Sequence, residues 1–115
     1  MQDCVFCKIA AGEIPSTKVY EDDTVVAFED LNPQMPVHTL IVPREHYANI
    51  GDDIPDEVMG HLFNTVKKVA EIKGIAESGY RVIVNTGDDA QQTVHHIHVH
   101  VLGGAPMNSG SPALA

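Results

Sequence analysis

Hydrophobic and polar positions change their period several times along the chain, and each change marks an element. Val5, Phe6, Ile9 and Ala10 predict a short helix over residues 4–11 that stops at Gly12. KVYED (18–22) and TVVAFED (24–30) predict two strands joined by a tight turn at Asp22–Asp23. HTLIVPR (38–44) predicts a third, and Pro43 ends it or places it near an edge, because proline has no N–H for a ladder. Across 55–73, Val58, Met59, Leu62, Phe63, Val66, Val69, Ala70 and Ile72 recur at helical spacing. Pro55 sits at the start of that helix, where its missing N–H costs nothing, and Gly74 follows the last turn. The stripe reads as core packing, with a dimer seam as its other use. GYRVIVNTG (79–87) and VHHIHVHVL (94–102) predict a fourth and a fifth strand. The connection between these two is too short for a parallel crossover, so they pair antiparallel. A short helix, three strands, a long helix and two strands make an α+β fold with a five-stranded, mostly antiparallel sheet.

A chain of 115 residues with no repeat and no internal linker fits one domain, 1–115. Residues 106–115, ending in NSGSPALA, are turn-rich and read as a loose tail. No apolar run approaches the ~20 residues of a membrane span. The start, MQDCVFCKIA, lacks the basic and long apolar regions of a secretion signal, so a cytoplasmic protein without a membrane partner is expected. A formal charge of −9 argues against nucleic acid as a partner. It leaves room for a small anionic ligand in a locally prepared pocket, where a few donors outweigh the distant field.

HHIHVHVLGG (95–104) carries four of the seven histidines. On a strand, His96, His98 and His100 share one face and Ile97, Val99 and Val101 the other. The apolar set packs on a helix or core. The imidazole set must face water, a metal or a substrate, because buried polar groups need partners. Packing does not account for three histidines on one face. Two uses remain open on spacing alone: a metal centre of neutral imidazoles, or nucleophilic and acid–base chemistry in which a ring nitrogen attacks phosphorus. His61, on the long helix, reads as a surface or packing residue. Cys4 and Cys7 form Cys-x-x-Cys, which serves either as half a zinc site or as a redox pair.

HIHVHVL (96–102) resembles the His-φ-His-φ-His-φ-φ signature of the histidine triad (HIT) superfamily, φ being hydrophobic. CVFCKIAAGEIPSTKVYEDD (4–23), VVAFEDLNPQMPVHTLIVPREH (25–46) and GYRVIVNTGDDAQQTVHHIHVHVLGG (79–104) are similar to its successive blocks, in order. HVHVLGG resembles the Hint branch, whose members are purine nucleoside phosphoramidases and usually homodimers. The resemblance implies that His98 is a nucleophile attacking the α-phosphorus of a purine nucleoside 5′-phosphoramidate. In that chemistry a nucleotidyl-histidine intermediate would form, and water would then release the nucleoside monophosphate. It implies that His100 and His38 flank the phosphate as donors or proton carriers. Asn85 and Thr93 would bind phosphate oxygens or the leaving-group side, and Asp30 the ribose hydroxyls. Val5, Phe6, Ile9, Phe28 and Leu31 would form an apolar slot for the base. Hydrolysis of dinucleoside polyphosphates and a nucleotide-binding scaffold dimer with little turnover are the alternatives.

The same resemblance implies a structural zinc on Cys4, Cys7, His46 and His96, with no catalytic metal. His95 is the reserve ligand, and free thiols without metal are the alternative. Two departures bear on specificity. AQQT (90–93) stands where the family often has Gly-Gly-Gln-Ser, and Ala90 and Gln91 enter positive φ less readily than glycine, so this loop is expected to differ. The chain also has no tryptophan, whereas some Hint proteins place a C-terminal one near the leaving group.

Overall fold

The computed structural model describes residues 3–107, so the tail from Asn108 lies outside the described residues. Its elements are α1 (Val5–Ala10), β1 (Lys18–Glu21), β2 (Val25–Glu29), β3 (Val37–Pro43), α2 (Asp56–Ile72), β4 (Tyr80–Ile83), a 3-10 turn (Asp88–Ala90) and β5 (Val99–Gly103). The strands form one sheet in the order β1-β2-β3-β5-β4, with every neighbouring pair antiparallel. This is the predicted α+β architecture, with one short and one long helix. No helix among the described residues is long and apolar enough to cross a membrane.

Each face of the sheet is covered. α2 begins with Asp56 and Glu57, acidic residues that suit the positive end of the helix dipole. It buries Leu62, Val66, Val69 and Ala70 against Val25, Ala27, Ile41, Ile97, Val99 and Val101. On the other face, Phe6, Ile9 and Ala10 of α1 pack on Val26, Phe28, Leu40 and Val42. Cover on both sides is why β3 and β5 are buried along their whole length, and why β2 and β3 read as near-continuous apolar runs. Pro43 ends β3 but is not at an edge, since β3 lies between β2 and β5. Gly103 is dictated by close approach: a Cβ there would meet Ile75 Cδ1 at 2.9 Å and the Gly79 carbonyl oxygen at 3.2 Å.

Two side chains pin the periphery. Arg44 donates to the carbonyls of Asp22 and Ala10, both at 2.7 Å, and to Glu21 Oε1 at 2.9 Å. It thereby joins the end of β3 to the β1–β2 turn and to the last turn of α1. Asp22 accepts the backbone N–H groups of Thr24 and Val25, the Tyr20 hydroxyl at 2.7 Å, and meets His61 Nε2 at 2.7 Å. Burial pushes the Asp22 carboxyl up, but His61, Tyr20 and the two N–H groups outweigh it and hold it well below the usual carboxylate range. His61 thus ties α2 to the turn between β1 and β2.

The two histidine-side strands are shorter than the sequence suggests. The span predicted over 79–87 is a strand only from Tyr80 to Ile83, and the one predicted over 94–102 begins at Val99. The cause lies in competing partners. Ile97 N–H donates to Tyr47 O at 2.7 Å, so the approach to β5 lies against the loop after β3 and not along β4. Gln92, buried at 4% exposure, donates to Ala48 O and Val94 O and accepts the Gly87 N–H. Hydrophobic patterning sees none of these bonds.

Candidate active site and metal centre

The side chains of His96, His98 and His100 keep to the α1 side of the sheet although only His100 belongs to the paired strand. All three are buried, at 0–2% exposure, so none simply faces water. Each has a protein partner, and the partners divide the row. His96 Nε2–H donates to the Pro43 carbonyl at 2.9 Å, which leaves Nδ1 as a lone pair 3.3 Å from Cys4 Sγ and 3.4 Å from Cys7 Sγ. His46 Nδ1 lies 3.3 Å from Cys7 Sγ. His98 Nδ1–H donates to the His96 carbonyl at 2.7 Å. His100 pairs with His38 across the β3–β5 ladder, Nδ1 to Nε2 at 2.9 Å.

Cys4, Cys7, His46 and His96 bring one donor atom each to within 4.8 Å of the others. Two thiols and two imidazoles are a closed tetrahedral zinc set. A zinc ion with ordinary bond lengths would separate its sulfur and nitrogen ligands by roughly 3.6 Å, close to the distances observed. Burial, and then the neighbouring Cys4, push the Cys7 thiol up, a cost that a divalent cation removes. The hydrogen bond to Pro43 fixes the His96 tautomer that ligation requires. The tetrad is a structural zinc site joining α1, the loop after β3 and the approach to β5. His95, the reserve ligand, is exposed and outside this cluster.

The row does not converge on a single metal of its own. His96 turns to the cysteines, while His100 joins His38 and Asp30. In that second group one proton pattern satisfies every bond. Gln34 N–H donates to His38 Nδ1 at 3.0 Å, so His38 carries its proton on Nε2 and gives it to His100 Nδ1. Neutral His100 then carries its own proton on Nε2, an atom that is buried and has no hydrogen-bond partner among the described residues. Asp30 Oδ2 lies 3.4 Å from His38 Nε2, and Asp30 Oδ1 accepts the Asn32 N–H. Burial, then His98 and His38, lower the His100 imidazole to about 3, so it is neutral at pH 7. His38 is lowered by burial, with Asp30 and Glu29 opposing, and burial takes His96 down to about 4.

His98 stands between these systems. Its ring is 4.9 Å from that of His100 and meets Phe6 edge-on, also at 4.9 Å. Phe6 packs on Phe28 at 5.5 Å, and the two form one wall of a cavity of about 260 Å³. Val5, Phe6, Ile9, Phe28, Leu31 and Asp30 all line that cavity. Core packing does not explain Leu31, which is 94% exposed. Ile14, Ser16, Leu40 and Val94 line it as well, and the sequence reading missed them. Their periodicity carried no signal, because three of the four lie on loops. Asn85 and Thr93 are not among its lining residues. Asn85 is half-buried just beyond β4, and Thr93 is exposed on a neighbouring cavity beside Val5, His46 and Val94. Between them, Gln91 adopts φ 63° and ψ 34°. The left-handed turn is therefore present without glycine, at a cost of about 1 kcal/mol.

Comparisons with known proteins agree with this geometry. Residues 11–107 match the family model described as HIT domain. The chain is 44% identical over 108 residues to a purine nucleoside phosphoramidase of Escherichia coli strain K12, covering 92% of this chain and 91% of that protein. It is 47% identical over 108 residues to a 14 kDa zinc-binding protein of Zea mays, covering 90% and 84%. A histidine triad protein from Clostridium difficile superposes with a TM-score of 0.90 at 50% identity, covering 96% of this chain and 98% of that one.

Two outcomes follow for the site. Stripping zinc with a strong chelator should lower the melting temperature by roughly 10 °C or more, and metal analysis of the untreated protein should give one zinc per chain. A metal-free protein with an unchanged melting curve would refute the staple. His100 should also make stability depend on pH. Its folded value is depressed, so its contribution is complete above about 6.5, the unfolded value, and is lost as pH falls toward about 3. Denaturant titrations at pH 7 and pH 5 should show wild type losing about 2 kcal/mol more than His100→Asn. Equal losses would mean that His100 is not held neutral by the fold.

Proposed function

The chain belongs to the HIT domain family, and from that premise we propose that it is a hydrolase cleaving the P–N bond of purine nucleoside 5′-phosphoramidates. The observation that carries the reading is the tautomer of His98. With Nδ1–H given to the His96 carbonyl, the lone pair of the neutral ring sits on Nε2, the atom that would attack phosphorus. In the first step His98 Nε2 bonds to the α-phosphorus and the P–N bond to the amine breaks. The amine leaves with a proton taken from solvent, while His100 Nε2–H, its tautomer fixed by the His38 Nε2–H bond to Nδ1, hydrogen-bonds the departing group. In the second step water attacks the nucleotidyl-His98. The P–N bond to the histidine breaks, nucleoside monophosphate leaves, and the proton of the water passes to solvent, balancing the one taken up with the amine.

The surroundings support those roles. Neutral neighbours place no positive charge beside His98, and burial of the imidazoles strengthens each donor. Phe6 and Phe28 would hold the base, while Asp30, which lines the same cavity, would accept the ribose hydroxyls. Asn85 and Thr93 serve the phosphate or the leaving group in this reading. The zinc takes no part in the reaction. It holds His96, whose carbonyl sets the His98 ring.

A homodimer belongs to the same proposal. β4 is an edge strand that exposes Tyr80 and Val82, and Ile72 is exposed at the end of α2. A second copy would cover that apolar edge. Sedimentation at micromolar concentration should give twice the chain mass, and a monomer there would remove this part. For the chemistry, AMP release from adenosine 5′-phosphoramidate should be measurable for wild type. It should fall by about 10³-fold or more in His98→Ala, with the circular dichroism spectrum unchanged. Equal rates in the two proteins would overturn the nucleophile. Faster turnover of a dinucleoside polyphosphate than of the phosphoramidate would overturn the substrate class.

A further inference from the structure

Ser16 is a polar residue in a mostly apolar cavity lining. It follows Ile14 and Pro15 on the loop between α1 and β1, and lines the cavity formed by Phe6, Ile9 and Phe28. Its Oγ is buried, yet makes no hydrogen bond among the described residues. Such a group is costly to keep and calls for a partner that arrives from outside the chain.

The other polar side chains around the cavity are already committed. Among its lining residues these are Glu29 and Asp30. Glu29 is held by Lys73 Nζ at 3.0 Å and by the Thr39 hydroxyl at 3.2 Å. Asp30 faces His38 and the Asn32 N–H, and the nucleotide reading gives it the ribose hydroxyls. The backbone bond from Glu29 N–H to the Thr17 carbonyl sets Ser16 opposite Asp30 at the start of the β1–β2 ladder. Ser16 therefore shares the face of Asp30 and Phe28.

We infer that the Ser16 hydroxyl hydrogen-bonds the edge of the purine base in the slot and is a specificity-determining residue. The inference rests on the nucleotide reading above. Aromatic walls hold any flat base by stacking and distinguish bases poorly. A buried hydroxyl, able to donate to a ring nitrogen or accept from an exocyclic amine, rewards a base that fills both needs. A base that leaves the hydroxyl unpaired loses that gain.

The test measures dissociation constants of AMP, 2′-deoxy-AMP and ribose 5-phosphate for wild type, Ser16→Ala and the near-isosteric Ser16→Cys. Both variants should bind AMP roughly 3- to 10-fold more weakly. Their affinity for ribose 5-phosphate and their ratio of AMP to 2′-deoxy-AMP affinity should stay at the wild-type value. Their melting temperature should not fall, since no protein partner is lost. Unchanged AMP affinity would overturn the inference. So would an equal loss on ribose 5-phosphate, or a loss confined to the sugar that has its 2′-hydroxyl, either of which would assign Ser16 to the ribose. A wild type that binds none of the three and does not turn over adenosine 5′-phosphoramidate would instead overturn the nucleotide reading itself.

Discussion

Buried imidazoles can crowd one face of a sheet only if they stay neutral and most of their ring protons are given a partner. In this fold backbone carbonyls and a neighbouring ring take three of those protons, and the fourth, on His100 Nε2, has no partner among the described residues. Pro43 O takes the proton of His96, His96 O takes that of His98, and His100 Nδ1 takes that of His38. A protonated ring in this setting would repel its neighbours in a medium that screens little. The burial that makes the row costly to charge is therefore also what keeps its lone pairs available.

That constraint divides one sequence motif between two tasks. His96 has its Nε2 tied to β3, so it offers Nδ1 to the cysteines. His100 has its Nδ1 tied to His38, so it keeps a proton on Nε2. His98, between them, has the opposite tautomer to both. The order of these assignments comes from backbone positions. Pro43 ends β3 next to the zinc ligands, and the Leu40–His100 pairing brings His38 alongside. The zinc centre and the His98–His100 pair thus share one short segment, residues 96–100, joined through the His96 carbonyl.

Much of the fold was legible because both helices and the central strands carry strong apolar patterns. Leu62, Val66 and Val69 have helical spacing and bury the face they predict. Val25–Phe28 read as a strand because both sides of β2 are covered. The failures lie where side chains or single backbone bonds compete with the ladder. Ile97 N–H goes to Tyr47, which delays β5. Gln92 clasps a loop in which residue type gave no warning. The slot was legible only through Phe6, Ile9, Phe28 and their neighbours in the resemblance, whereas Ile14, Ser16 and Val94 reach it by loop geometry.

The sequence by itself determined which groups are present and which face each strand residue takes, because alternation and helical spacing are local properties of the backbone. It determined the Cys-x-x-Cys and the alternating histidines, and so the kinds of chemistry available. Tertiary structure alone decided which nitrogen of each ring holds the proton. It decided that His46, fifty residues before His96, stands beside the same cysteines, and that the Ser16 hydroxyl is left without a partner among the described residues. Those outcomes depend on which distant carbonyl, ring or sulfur lies within about 3 Å of a given atom, and that is set only when the sheet closes between its two helices.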